Sequence, residues 1–173
     1  GAQDRYVSLS RYLIGFVLVI GLGLGLFATE ILLLLTRKEY LPAAPYVGFL
    51  AYMHVFSSFG IVLSTGAYMG KQLKQLSSSV VLGAIINILL NYLLIPSYGV
   101  WGATIATLVG YGAPQVFLYI WLQKRNPIPY PTKRLLAALL VQFGLLIIGL
   151  FVPAVSLPIR MIIKAGILFM LPV

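Results

Sequence analysis

The chain predicts an all-α fold: a polytopic transmembrane bundle of about six spans. Three observations predict it. Hydrophobic residues make up 61% of the 173 and charged residues only 9%, with a mean hydropathy of +1.02. A soluble domain carries roughly 25% charged residues, so this chain has too little polar surface to cover its apolar mass in water. The apolar residues fall in long runs, close to the roughly 20 residues that cross a hydrocarbon core of about 30 Å. Lys and Arg collect in the short gaps between those runs, where loop anchors of membrane proteins stand.

The runs define the elements in order. Span 1 covers residues 12–35 and is interrupted only by Glu30. Arg37-Lys38-Glu39 and Pro42 end it. Span 2 covers 45–69, with His54 but no formal charge, and Lys71 and Lys74 follow it. Span 3 covers 79–95. The turn Pro96-Ser97-Tyr98-Gly99 leads into span 4, 102–122. Asn126-Pro127-Ile128-Pro129-Tyr130-Pro131 is too rich in proline to be helical. Span 5 covers 135–152, and span 6 covers 157–173 and carries Arg160 and Lys164. Runs such as Ile31–Leu35 and Ile85–Leu90 do not alternate as β-barrel strands do. Helices satisfy their own backbone in lipid, so they are the expected element.

The net charge of +9 comes from 12 basic residues against 3 acids. Because the basic residues occupy loops, they predict orientation and not nucleic-acid binding. One set of gaps holds Arg5, Arg11, Lys71, Lys74, Lys124, Arg125, Lys133 and Arg134; the other holds Arg37, Lys38 and Arg160. The excess of basic residues places the N-terminus on the cytoplasmic side. With no cysteine, disulfide, thiolate and cysteine–metal chemistry are excluded. No secretory signal is apparent: the first apolar run is too long and lacks a small-residue cleavage site. A chain that begins Gly-Ala-Gln and ends inside an apolar run is expected to be a fragment of a longer protein.

Few side chains carry chemistry. Glu30 is the only acid within a span, and intramembrane carboxylates mark proton relays or substrate paths; pairing with a cation near the helix end is the structural alternative. Asn87 and Asn91 lie one turn apart in span 3, either bonding a neighbouring helix or touching a polar substrate. Gly102, Ala106 and Gly110 repeat at the four-residue spacing that lets helix backbones approach. Gly21-Leu22-Gly23-Leu24-Gly25 is no nucleotide loop, lacking the preceding strand, the final glycine and the acidic partner. His54 alone cannot assemble a metal site. No nucleophile–base set or carboxylate pair can be assembled, so no catalytic residue, metal or cofactor is assigned and an enzyme is not expected. Tyr40, Tyr46, Tyr98, Trp101, Trp121 and Tyr130 fall near span ends, as interfacial aromatic belts do.

Several stretches carry a resemblance: Glu39-Tyr40-Leu41-Pro42-Ala43-Ala44, Gly66-Ala67-Tyr68-Met69-Gly70-Lys71, and above all Asn87-Ile88-Leu89-Leu90-Asn91-Tyr92-Leu93-Leu94-Ile95-Pro96-Ser97-Tyr98-Gly99-Val100-Trp101-Gly102-Ala103-Thr104. Ile128-Pro129-Tyr130 after a basic loop adds to them. From Glu30 to Tyr130 the sequence resembles the C-terminal half of a polysaccharide or O-antigen flippase. That family belongs to the exporter superfamily that also holds the MATE drug antiporters and the lipid II flippase. Trp101 stands where some members carry Ala. The resemblance implies a two-lobed MATE-like transporter of about 12–14 spans with internal repeats, this chain being the C-terminal lobe. It implies a bacterial cytoplasmic membrane, a missing N-terminal half as partner, and an undecaprenyl-linked oligosaccharide moved to the outer leaflet for surface polysaccharide synthesis. Glu30, Arg11, Arg37, Lys71, Asn87 and Asn91 are the candidate substrate-binding residues, the cations because they suit a diphosphate. A MATE-type cation-coupled exporter of drugs or metabolites is the alternative, a membrane-embedded glycosyltransferase or polymerase a third reading, and a membrane scaffold a fourth.

Overall fold

The computed structural model describes residues 2–125, 132–150 and 157–169, with side chains for 8–10, 12–125, 136–148 and 161–167. Arg11, the loop 126–131 and the basic side chains at 5, 133, 134 and 160 lie outside those described side chains. The described residues form helices and turns, with no strand among them. The helices are α1 (Ala2–Leu26), α2 (Ala28–Leu35), α3 (Ala44–Met69), α4 (Leu73–Tyr98), α5 (Val100–Arg125), α6 (Thr132–Leu150) and α7 (Leu157–Phe169), with a 3-10 turn at Lys38–Ala43 before α3.

Four stretches among the described residues are long and apolar enough to cross a bilayer: Ser8–Leu26, Lys38–Met69, Leu73–Tyr98 and Val100–Arg125. At roughly 1.5 Å per residue, each 26-residue helix from α3 to α5 is about 39 Å long, more than the hydrocarbon needs. Against the expectation of about six spans, four are shown among the described residues. The apolar stretch of α6 runs Leu136–Ile148, and α7 has 13 residues.

Span 1 is not one helix. It bends at Phe27, where α1 gives way to α2. The hydrogen-bond ladder survives the bend, with Phe27 N–H donating to Gly23 and Ile31 N–H donating to Phe27. Three glycines just before it lower the cost of leaving helical geometry. Span 3 is longer than expected at both ends: α4 begins at Leu73, and Pro96 does not end it. The helix runs on to Tyr98, and the chain reverses at Gly99, whose φ of 53° suits a residue without Cβ.

Alternation of direction follows from the contacts. Gly25 faces Gly48 and Gly21 faces Ala51 and Val55, so α1 and α3 are antiparallel. Gly83 faces Pro114 and Asn87 faces Gly110, so α4 and α5 are antiparallel too. Phe56 lies beside Gly112 and Gly60 beside Gln115, so α3 and α5 run parallel. The core is a stripe of Ile14, Leu18, Leu22 and Leu26 on α1, packed on Tyr52, Val55, Val62 and Leu63 of α3, with Leu118, Leu122 and Leu146 completing it. A chain of rings ties α3 to its neighbours: Tyr46–Trp101 at 4.8 Å, Phe49–Trp101 at 5.4 Å, Phe49–Phe143 at 5.7 Å and Tyr52–Phe143 at 5.6 Å. Tyr46 and Trp101 are thus packing residues as well as residues near span ends.

The exterior is as apolar as the core. On α4, Val80, Val81, Ile85, Ile88, Leu89, Tyr92 and Leu93 are all exposed. A continuous apolar face of that size is unfavourable in water and required in lipid.

Candidate functional site: a polar cleft in an apolar bundle

Two places break the apolar rule. The first is a cleft of about 490 Å³ between α3, α4 and α5. Ser57 and Ser64 come from α3, Ser79 and Asn87 from α4, and Gln115 from α5. Hydroxyl and amide groups gather there because small residues open the space. Gly60 accommodates the Gln115 amide, which a Cβ at that position would meet at 2.8 Å. Gly110 accommodates Asn87, whose Cβ would lie 2.7 Å from a Cβ at residue 110.

Asn87 anchors the cleft wall. Its Nδ2 donates to the Ala106 carbonyl of α5 at 3.1 Å, and its Oδ1 accepts from Asn91 Nδ2 at 3.0 Å. A primary amide has two donor hydrogens and two acceptor lone pairs, so capacity remains for a ligand. Both readings of the pair, helix bonding and substrate contact, are therefore compatible with one geometry. Pro114 adds a group that the sequence reading overlooked. It has no N–H to give the carbonyl four residues back, Gly110, and that carbonyl lies 2.9 Å from where a Cβ of Gly83 would stand. A proline inside an apolar run, with a glycine one turn before it, was the available signal. Two of the serines bond their own helix: Ser64 Oγ donates to Ile61 and Ser79 Oγ to Leu76. Each of these hydroxyl oxygens keeps lone pairs that can accept a further bond.

The second place is a buried ion pair. Lys164 Nζ of α7 donates to both carboxylate oxygens of Glu30, each at 2.9 Å. The side chains are 6% and 7% exposed. The bend at Phe27 is one turn before Glu30 and sets the direction of α2. Sequence reasoning raised Glu30 and placed Lys164 in a span, but did not join them across 134 positions. The one signal was that Glu30 stood alone as an acid within a span, while Lys164 lay deep in an apolar run beyond Arg160.

The remaining candidates do not converge on the cleft. Arg37 is exposed before the 3-10 turn, at the start of α3, and Lys71 is exposed after its end, with a φ of 54°. A helix of 26 residues separates them by about 39 Å, so they cannot share one diphosphate. Arg11 has its backbone in α1, and its side chain lies outside the described residues. Gly102 lies against the Leu94 carbonyl, Ala106 is fully buried, and Gly110 meets Asn87, all on the α4-facing side of α5. Among the described residues, no group of His, Asp or Glu is placed to hold a metal ion.

Comparison with known proteins adds one relative. The chain is 30% identical over 127 residues to an uncharacterized membrane protein of the archaeon Methanocaldococcus jannaschii, an alignment that takes in 73% of this chain and 25% of that protein. The chain thus spans about a quarter of the length of the curated relative it matches. No family model matches the chain, and no solved structure matches it. The chain is a multi-pass helical membrane protein with a membrane protein as its relative.

Proposed function

We propose that this chain is the C-terminal lobe of a MATE-like transporter that moves a polyprenyl-linked oligosaccharide across the cytoplasmic membrane. The observation that carries the reading is the polar cleft. A sugar headgroup in hydrocarbon costs several kcal/mol for each polar group left without a partner. The cleft offers hydroxyls, two amides and a carbonyl released by Pro114, all within an otherwise apolar bundle. Such groups exchange hydrogen bonds with sugar hydroxyls without any covalent step, so the substrate leaves unaltered. The resemblance of residues 30–130 to polysaccharide flippases supports the same substrate class, and the relative's greater length is compatible with a further lobe. The antiparallel order of the helices gathers Lys71, Lys74, Lys124 and Arg125 at the end where α1 begins, which supports a cytoplasmic N-terminus.

Deletion of the gene is the direct test, with surface polysaccharide as the readout: its loss is expected. Intact polysaccharide with altered drug sensitivity would sink the flippase and favour the cation-coupled exporter, the reading to which a buried Glu30 lends weight. A second test keeps the protein in the membrane. Asn87→Leu in the full chain removes the cleft's α4 amide and is expected to lower transport about tenfold or more, because each unmatched sugar hydroxyl is worth about a factor of ten. Normal transport by that variant, at normal abundance, would remove the cleft from the pathway.

A further inference from the structure

The polar cleft between α3, α4 and α5 holds an amide that no other described residue uses. Gln115 stands on α5, half-buried, with its side-chain amide against Gly60 of α3. A Cβ at residue 60 would meet its Oε1 at 2.8 Å and its Cδ and Nε2 at 3.0 Å. Gly60 lines the cleft, so the polar end of Gln115 lies at the cleft wall. That end makes no hydrogen bond among the described residues. It is also not sealed away: the buried polar atoms without a partner there belong to Tyr52, Gln72 and Gln142.

The unused groups come as donors and acceptors together. A primary amide brings two donor hydrogens and a carbonyl acceptor. Gln115 has this capacity unspent, Asn87 keeps one donor hydrogen and one lone pair, and Ser64 and Ser79 keep acceptor lone pairs. A sugar hydroxyl donates and accepts and can use both kinds, whereas a carboxylate only accepts and an ammonium only donates. Among the described residues, none that lines the cleft carries a formal charge. Lys74 is 13 residues along α4 from Asn87, and Lys124 is nine along α5 from Gln115, roughly 20 and 14 Å. A charged group drawn into the cleft gives up its water and meets no counter-charge, which weakens its binding far more than that of a neutral group.

We propose that the cleft selects an uncharged sugar and that the Gln115 amide bonds it, donating through Nε2 and accepting at Oε1. The inference rests on the oligosaccharide reading and names the sugars that fit it: neutral hexoses and N-acetylated hexosamines, not uronic acids or sugars with a free ammonium. Asn87 meets the same sugar from the α4 wall.

The test uses three probes that differ at one carbon: octyl β-glucoside, octyl β-glucuronide and octyl 6-amino-6-deoxy-β-glucoside. Equilibrium binding to the full chain is measured near neutral pH in nanodiscs of zwitterionic lipid, with uptake by empty nanodiscs subtracted. Salt of about 0.3 M screens the surface cations. The glucoside is expected to bind saturably and at least about tenfold tighter than either charged probe. Gln115→Leu is expected to weaken the glucoside about tenfold, and Gln115→Glu, of nearly the same shape, to place the ammonium probe first. Gly60→Ala displaces the amide and is expected to weaken the glucoside at unchanged thermal stability. Comparable affinity for all three probes, a charged probe favoured by the parent chain, or glucoside binding that survives Gln115→Leu would each overturn this inference and leave the cleft a sugar site. Saturable binding of none of the three would overturn the oligosaccharide reading of the cleft as well. If the Gln115 variants fail to accumulate, the order of the three probes on the parent chain and the effect of Gly60→Ala decide.

Discussion

The α4–α5 hairpin and the α1–α3–α6–α7 side of the bundle are both apolar, yet they are held together in different ways. In the hairpin, cohesion comes from closeness. Gly83, Gly102 and Gly110 bring the backbones together, and the Asn87 amide bonds a carbonyl on the facing helix. Most of the remaining surface of α4 is exposed. On the other side, cohesion comes from interlocked large side chains and from charge. Leu22, Leu63 and Leu146 are completely buried, and Glu30 and Lys164 form a buried ion pair on the same side. Lipid tails are as apolar as leucine, so helices in a bilayer gain little from hiding leucine alone and need fit or polarity to associate. The two regions are the two solutions: fit in the hairpin, polarity around Glu30.

Lys164→Met gives the largest expected effect on this comparison. It takes an ammonium away from a buried carboxylate, a change that costs about 3–5 kcal/mol when a buried pair is broken on one side. Chemical denaturation in detergent measures it, and adding Glu30→Gln to the same chain is expected to restore most of the loss. If the single variant is as stable as the parent, charge does not hold that side.

Gly110→Leu tests the hairpin. A side chain there must displace Asn87, and overpacking of this kind costs about 1–3 kcal/mol. The same denaturation experiment reads it, and interhelical crosslinking between α4 and α5 should fall in parallel. A neutral result would mean that the hairpin tolerates separation and that small residues are not its basis.

Gln142→Leu is expected to change stability least, by less than about 1 kcal/mol. Gln142 is fully buried and donates to the Leu18 carbonyl, but its Oε1 has no partner among the described residues. Removing an unsatisfied acceptor offsets the lost donor bond. A loss above about 2 kcal/mol would show that the polar contribution on this side extends beyond the ion pair.

What the sequence made legible follows the same division. The hairpin could be read almost whole. Gly99 marked the reversal, and Gly102, Ala106 and Gly110 marked the packed face, because local chemistry decides both. The start of α3 was readable from Pro45 at its first turn, where a missing N–H costs nothing. The other side was poorly legible. The bend at Phe27 lies inside an apolar run interrupted only by Glu30, with no proline to mark it. The partner of Glu30 lies 134 positions away, and no periodicity links the two. The polar cleft was half legible: Asn87 and Asn91 stood out, whereas Gln115 and Pro114 gained meaning only once α3, α4 and α5 were brought together. Arg37 and Lys71 were grouped by charge, and the length of α3 separates them.

The single residue between α4 and α5 has a consequence in time. Asn87 and the carbonyl it bonds are 19 positions apart, which at about 5–20 residues per second is about one to four seconds of synthesis. Gly99 is the whole of the connection, so α5 begins to emerge from the ribosome as soon as α4 is complete. An amide that would be costly to leave alone in a nascent membrane segment therefore waits only seconds for its acceptor. The tightness of the turn makes the two helices neighbours in time as well as in space, which favours their entering the bilayer as a hairpin.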